Sequence, residues 1–346
     1  MKQSLAGLPL TELTELLKPL PAFRAKQLHR HICRGVRSFA EMTDFSLPLR
    51  EAMERRFTLY SSQTIQRLDD KDGSMKLQID LNDKVKIEAV LLSDKAGRKT
   101  ACLSTQGGCP IGCVFCKTGG LGFSRNLAST EIVEQFLHLQ TAADSRIDNI
   151  VVMGMGEPLL NLAELRKALN FLTDEEGLNL SKRNITISTC GIAAGIRDLA
   201  ENGPNTRLAL SLTSADEDLR RRLMPGVAGN PLSVVKNALI CYQQRQKRRI
   251  TLEIVLLARV NDRQKDADAI ADFARGLDAV VNLIPWNPVP DALFEDASLR
   301  QPTRREIDLF AESLRERRLN ITIRLKRGCG VAAACGQLGS KLNDDA

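Results

Sequence analysis

The sequence predicts an α/β fold: a parallel sheet or barrel with helices outside it, preceded by a small helical domain and a β-hairpin linker. Two patterns point there. After residue 99, short β-like runs alternate with longer helical segments, as repeated strand–helix units require. Ahead of them the hydrophobic spacing is first helical and then strictly alternating. At 346 residues the chain has room for two domains, or for one large domain with an appendage.

Residues 1–55 read as a small helical domain, with Leu10, Leu13, Leu16 and Leu17, then Leu28, Ile32 and Phe39, at helical spacing. It is dense in basic residues (Arg24, Lys26, His29, Arg30, His31, Arg34, Arg37), which fits a solvated helix face or a grip on an RNA backbone. In residues 56–98, segments 76–81 and 84–90 alternate polar with apolar around Asn82-Asp83 and predict the hairpin. There Glu88 and Lys86 share the face opposite Val85, Ile87 and Ala89. From 99 to 325, strand candidates fall at 101–104, 150–153, 185–188, 208–212, 251–257, 280–284 and 321–325. Helical segments fall at 130–142, 162–173, 231–246, 266–275 and 304–317, the last opening with the capping box Thr303-Arg304-Arg305-Glu306. In such folds the active site lies at the C-terminal ends of the strands. Residues 326–346 are a tail, Gly/Ala-rich around Cys335.

Hydrophobic residues make up 43% and charged residues 26%, which excludes a disordered chain. Nine cysteines cannot all pair with one another, and a chain of this length needs no disulfide framework. No apolar run approaches the ~18 residues of a membrane span, and the first ten residues lack the apolar stretch of a signal peptide. A cytoplasmic protein with reduced thiols and no membrane partner is the expectation. Lys plus Arg (49) exceed Asp plus Glu (42), a net charge of +7 that suits anionic partners. Arg220-Arg221-Arg222 and Lys247-Arg248-Arg249 suit phosphate contacts, although each group alone also reads as a solvated helix face.

Cys109, Cys113 and Cys116 form a C-x3-C-x2-C spacing directly after a strand candidate. Three thiolates on such a loop can converge on one soft metal centre. A zinc site normally takes four protein ligands, and no fourth Cys or His follows at zinc-finger spacing. With three thiolates, a 4Fe-4S cluster keeps one iron open, where a radical enzyme chelates the amino and carboxylate groups of S-adenosylmethionine (SAM). Gly154-Met155-Gly156-Glu157-Pro158 follows an apolar run and allows close backbone approach, with Glu157 able to accept from an ammonium. A dinucleotide-binding turn is disfavoured by Pro158 and the missing third glycine.

The triplet, with Phe115 before its third cysteine, resembles the motif of the radical SAM superfamily. The wider context is similar to the RlmN/Cfr family of RNA adenine methyltransferases. The matching stretches include Ser104-Thr105-Gln106-Gly107-Gly108-Cys109, Gly154 to Leu159, Leu210-Ser211-Leu212, Asn282 to Pro288 and Ala333-Ala334-Cys335-Gly336-Gln337-Leu338, in family order. The resemblance implies a partial (β/α)6-type TIM barrel and one 4Fe-4S cluster on Cys109, Cys113 and Cys116. It implies two SAM molecules per turnover, with Gly156 and Glu157 at the methionyl end and Ser188, Ser211, Leu212, Thr213 and Asn287 as further cofactor ligands. Relatives usually carry His where this chain has Thr213; a backbone contact would survive that change.

By the same resemblance, Cys335 is methylated on sulfur by one SAM, and the radical formed from the second takes a hydrogen from that methyl group. The resulting carbon radical adds to an adenine ring carbon, carbon 2 or carbon 8, both of which the family's motifs serve, with carbon 2 the preferred reading. Glu88 accepts a proton, and Cys102 attacks the tail sulfur in a transient disulfide that releases the base. The implied substrate is rRNA and/or tRNA, the electron donor a protein such as flavodoxin, and the enzyme a monomer. Cys329 departs from the family's acidic stretch. Two other readings stand beside this one: a radical SAM enzyme acting on a non-RNA substrate, and an RNA-binding module with a structural zinc or cluster.

Overall fold

The computed structural model describes residues 2–94, 96–290, 292–295, 297–324 and 327–339; Leu325, Lys326 and the tail beyond Gly339 lie outside the described residues. Three helices open the chain: α1 (Leu10–Leu16), α2 (Ala22–Cys33) and α3 (Leu47–Arg56). On α2, Ala25, Leu28, His29 and Ile32 fall on one face and are buried. His29 is therefore core rather than part of the basic surface, with its ring edge-on to Phe171 at 5.1 Å.

The sheet strands are β1 (Ser62–Asp69), β2 (Met75–Leu81), β3 (Lys86–Ser93), β4 (Lys99–Cys102), β5 (Asn149–Val152), β6 (Ile185–Thr189), β7 (Arg207–Ser211), β8 (Ile250–Leu256), β9 (Ala279–Pro285) and β10 (Ile321–Ile323). They form one ten-stranded sheet ordered along the chain from β1 to β10. From β4 onward every pairing is parallel. The crossovers carry α4 (Ser129–Ala142), α5 (Leu162–Leu172), α6 (Ala193–Asn202), α7 (Glu217–Leu223), α8 (Leu232–Gln246), α9 (Gln264–Ala274) and α10 (Arg304–Glu316). The strands alternating with these helices are the seven read from periodicity, while α6 and α7 are additions to that reading. On β8, Ile250, Leu252, Ile254 and Leu256 line one face of the strand and are fully buried. The capping box opens α10: Thr303 Oγ1 accepts from the Glu306 N–H at 3.3 Å, and Glu306 Oε2 accepts from the Thr303 N–H at 2.7 Å.

The hairpin is not a detached arm. Strands β1 to β4 pair antiparallel and extend the parallel sheet directly, with Gln78 opposite Glu88. One face of this extension packs against α4; residues of the C-terminal tail contact Lys76 and Glu88 on it, so these residues are buried despite the alternating pattern.

Segments flanking the N-terminal helices reach α4 through polar contacts. Ser4 Oγ, Ser61 N–H and Ser61 Oγ donate to Glu134 Oε1 at 3.0, 2.8 and 2.9 Å. Arg37 Nη1 donates to His138 Nδ1 at 2.7 Å, so the ring proton lies on Nε2, which faces Ser62 Oγ at 2.9 Å. Burial, aided by the Arg37 charge, lowers His138 to about 4. An unfolded histidine titrates near ~6.5, so below that value the unfolded chain binds the extra proton first and stability falls as pH drops towards about 4. Glu134, raised by burial, works in the opposite sense in acid. His138→Gln keeps an acceptor for Arg37 and should flatten the fall in urea midpoint between pH 6.5 and 4.5; a slope identical to the parent's would refute the assignment.

Candidate active site

Cys335 stands where two cavities meet. One, of about 160 Å³, is lined by Cys109, Cys113, Cys116, Glu157, Ser188 and Ser211 among others. The second, of about 520 Å³, is lined by Cys102, Arg98, Arg207, Arg324 and Arg327 among others. Cys335 and Asn287 line both.

The three-cysteine loop leaves the sheet after β4. Val114 N–H donates to Leu223 O at 3.0 Å, Gly226 N–H to Ile111 O at 2.8 Å, and Trp286 Nε1 to Phe115 O at 2.9 Å. Ile111, Phe115, Leu223, Met224 and Trp286 share a separate apolar cluster that fixes the loop from below. Burial pushes the Cys109 thiol up to about 11 and raises Cys113 and Cys116, so metal binding here releases protons. Among the described residues, no three His, Cys, Asp or Glu side chains converge on the position of a single metal ion. Zinc, at about 2.3 Å from each sulfur, needs that convergence. A 4Fe-4S cube, whose thiolates bind different irons, does not. The three cysteines could hold such a cluster.

At the end of β5 the backbone of Gly156 has φ +102°, and a Cβ there would lie 2.6 Å from Gln106 Cβ. Gln106 Oε1 accepts from the Glu157 N–H at 2.8 Å. Glu157 is buried, and its carboxylate accepts from the Leu159 N–H at 3.0 Å and the Cys190 N–H at 2.7 Å. Burial raises its pKa, and a ligand ammonium would offset that. Ser188 Oγ and Ser211 Oγ lie 3.1 Å apart. Thr213 lines the same cavity, and its Oγ1 is buried without a partner, an unmet polar atom beside the space a ligand would fill. At Thr213 the N–H is already given to Glu253 O at 3.1 Å, so a backbone contact there falls to its carbonyl. Leu212 does not line this cavity: its side chain is core, and its N–H and carbonyl are taken by Glu253 and by Arg220 and Ser214. Asn287 donates to Cys335 O at 3.1 Å, so in this arrangement it holds the tail.

Glu88, which also reads as an exposed strand carboxylate, is buried: Oε1 accepts from Gln78 Nε2 at 3.1 Å and pairs with Lys76 at 3.2 Å, and Oε2 accepts from the Gly339 N–H at 2.7 Å. Cys102 is buried beside Cys335; burial, with the Cys335 charge, pushes its thiol up to about 12, and Arg324 acts against that rise. Arg324 lies 3.9 Å from Glu253 and has its pKa raised, chiefly by Cys335. Sequence reasoning missed Arg324, Glu253 and Gln106. Two left a trace: Glu253 interrupts an apolar strand, and Arg324 follows β10 at the end where site residues gather. Arg220 corrects the reading of its triplet as phosphate contacts, being fully buried, whereas Arg221 and Arg222 are exposed. Lys247-Arg248-Arg249 precedes β8, at the end of the sheet away from the site.

The fold and the three-cysteine loop define a radical SAM enzyme, and the model of the Radical SAM superfamily matches residues 103–273. A crystal structure of a radical SAM methyltransferase from Sphaerobacter thermophilus superposes with a TM-score of 0.92 at 36% identity, covering 97% of this chain and 99% of that one. The "Probable dual-specificity RNA methyltransferase RlmN" of Treponema denticola is 48% identical over 98% of this chain and 96% of its own. The "Dual-specificity RNA methyltransferase RlmN" of Syntrophobacter fumaroxidans is 41% identical over 92% of each. The chain belongs to the RlmN family of radical SAM RNA methyltransferases. Membership implies a 4Fe-4S cluster and SAM as cofactors and removes the reading of a non-catalytic binding module. Among the described residues no helix is long and apolar enough to cross a membrane.

Gly156→Ala forces a Cβ against Gln106 from a left-handed backbone, and should cost on the order of 1–3 kcal/mol and weaken SAM binding. Gly229→Ala, whose Cβ would meet nothing within 4 Å, should change neither. Calorimetry and equilibrium dialysis on both variants check this, and equal behaviour would refute the packing argument.

Proposed function

We propose that the protein methylates carbon 2 of an adenine in RNA through an S-methylated Cys335. The observation that carries this reading is the place of Cys335 at the junction of the two cavities. One cavity holds the three clustered cysteines with Glu157, and the other holds Cys102 and Arg324. Cys109, Cys113 and Cys116 would hold the cluster, and Glu157, Ser188, Ser211 and Thr213 would line the SAM site. When bound, these groups supply a reducing electron, a methyl group and an organic radical.

The chain's own residues do the rest. Cys335 accepts a methyl group on sulfur and presents it to the base. Glu88, fixed by Lys76 and Gln78, is the carboxylate proposed to take the proton lost from the ring carbon. Cys102 attacks the Cys335 sulfur, freeing the product and leaving a disulfide, while Arg324 favours the thiolate form of Cys102. That disulfide must be reduced in every turnover, which fits a cytoplasmic enzyme served by a flavodoxin-like electron donor. The arginine-lined second cavity suits a nucleotide phosphate, and the relatives' name supports an RNA substrate, taken here as rRNA and/or tRNA acted on by a monomer.

Nucleoside mass spectrometry of rRNA and tRNA, from cells with and without the gene, should show one methyladenosine lost on deletion. Cys335→Ala should bind a full cluster yet form no product. Cys102→Ala should accumulate a covalent RNA–protein adduct visible on a denaturing gel. No difference in any methyladenosine would overturn the RNA assignment, and full turnover by Cys335→Ala would overturn the mechanism.

A further inference from the structure

Arg220 lies on α7 with no exposed surface, one turn beneath the three-cysteine loop. Burying a guanidinium costs several kcal/mol unless its donors and charge are matched. The matching is incomplete. Nε donates to Leu212 O at 3.3 Å and Nη2 to Cys190 O, tying together the loops that follow β7 and β6. Nη1 is buried with no partner. Burial works against its charge and lowers its pKa, while Cys190, Glu217, Cys113 and Glu157 favour the charge. One of these, Cys113, belongs to the cysteine triplet, and another, Glu157, lines the same cavity. Arg220 itself does not line that cavity, so it acts on the centre from behind the wall and touches no ligand within it.

We propose that Arg220 is the fixed counter-charge of the Cys109–Cys113–Cys116 centre and sets its reduction potential. The inference rests on the reading that these cysteines hold a 4Fe-4S cluster. Three thiolates on a 4Fe-4S core of charge +2 give a net charge of −1, and one added electron makes it −2. A cation fixed in a water-poor wall stabilises the second state more than the first, because Coulomb energy grows with the charge it faces and is weakly screened there. Arginine keeps its proton throughout the working pH range, and a lysine facing a centre of charge −1 to −2 would be held protonated by it, so either residue supplies a cation here. The tie between two loops is the competing, purely structural role, and it uses only Nε and Nη2. It gives no reason for a cation, since a neutral amide could reach a carbonyl.

The test is an anaerobic redox titration of the full-length, cluster-loaded protein followed by electron paramagnetic resonance, with iron and sulfide content measured alongside. Arg220→Gln should keep its cluster and become about tenfold harder to reduce, a midpoint about 59 mV more negative. Arg220→Lys, which keeps the charge and loses the fork, should stay near the parent value. A full cluster in Arg220→Gln with an unchanged midpoint overturns the proposal. Should Arg220→Gln hold no cluster, Arg220→Lys decides: a full cluster supports the charge, and loss of the cluster in both variants leaves the loop tie as the whole role and overturns it. Absence of iron and sulfide from the parent protein itself would instead fail the cluster reading.

Discussion

The C-terminal segment is held across the mouth of the open barrel, and the arrangement of the site depends on that seat. Gly328 N–H donates to Asp72 at 2.8 Å and Gly330 N–H to Asp70 at 2.7 Å, anchoring one end on the hairpin side. Further on, Gly336 O accepts from Lys117 N–H at 2.8 Å and Leu338 O from Thr118 Oγ1 at 2.7 Å, anchoring the other on the cysteine loop. Between them Asn287 holds the carbonyl of Cys335. This segment carries only one short helical turn of its own, so its position rests on contacts from distant elements, and they seat a cysteine proposed to receive a group in one cavity and deliver it in the other.

The same seat explains the buried charges. Lys76 and Glu88 would be ordinary exposed partners on an alternating hairpin; the tail covers them, and Lys76 also donates to Ala332 O at 3.3 Å. Glu157, Glu253, Arg220 and Arg324 are buried or nearly so around the two cavities. Such groups are poor sources of stability, because desolvation offsets most of the attraction. They persist where a polar environment must be fixed in place before the reaction, so that no reorganisation is needed when charge develops. The protein thus keeps a water-poor chamber polar through its walls.

Much of this was legible in the sequence, and the remainder failed for one physical reason. The seven strands of the parallel region show in local periodicity, since each buries its residues against immediate sequence neighbours in the sheet order. The cysteine loop and the Gly156–Glu157 turn are local too. The burial of Glu88 is not legible locally, because the cover over it comes from Gly339, 251 residues away. Arg220 reads like its neighbours Arg221 and Arg222, and only the helix phase of a seven-residue element separates the buried one from the exposed two. The pairing of Arg324 with Glu253 is likewise a contact between distant segments. Local pattern reveals elements and motifs, but which polar residue lies under a distant segment is a property of the assembled sheet.

Thr213 shows how a substitution can be absorbed within such a frame. Its backbone is left-handed, with φ +55°, and is held at both polar groups: the N–H by Glu253 O and the carbonyl by Asn261 Nδ2 at 2.8 Å. A donated N–H has nothing left to offer a ligand. A carbonyl, with two lone pairs, keeps one acceptor position after Asn261 has taken the other. The hydroxyl, buried and unpartnered at the cavity wall, can both donate and accept. Any side chain at this position that tolerates the left-handed backbone leaves the carbonyl available, so recognition through that oxygen does not require an imidazole. Asn261, rather than the residue at 213, then becomes the element that fixes this part of the site, because it aims the carbonyl whichever side chain is attached.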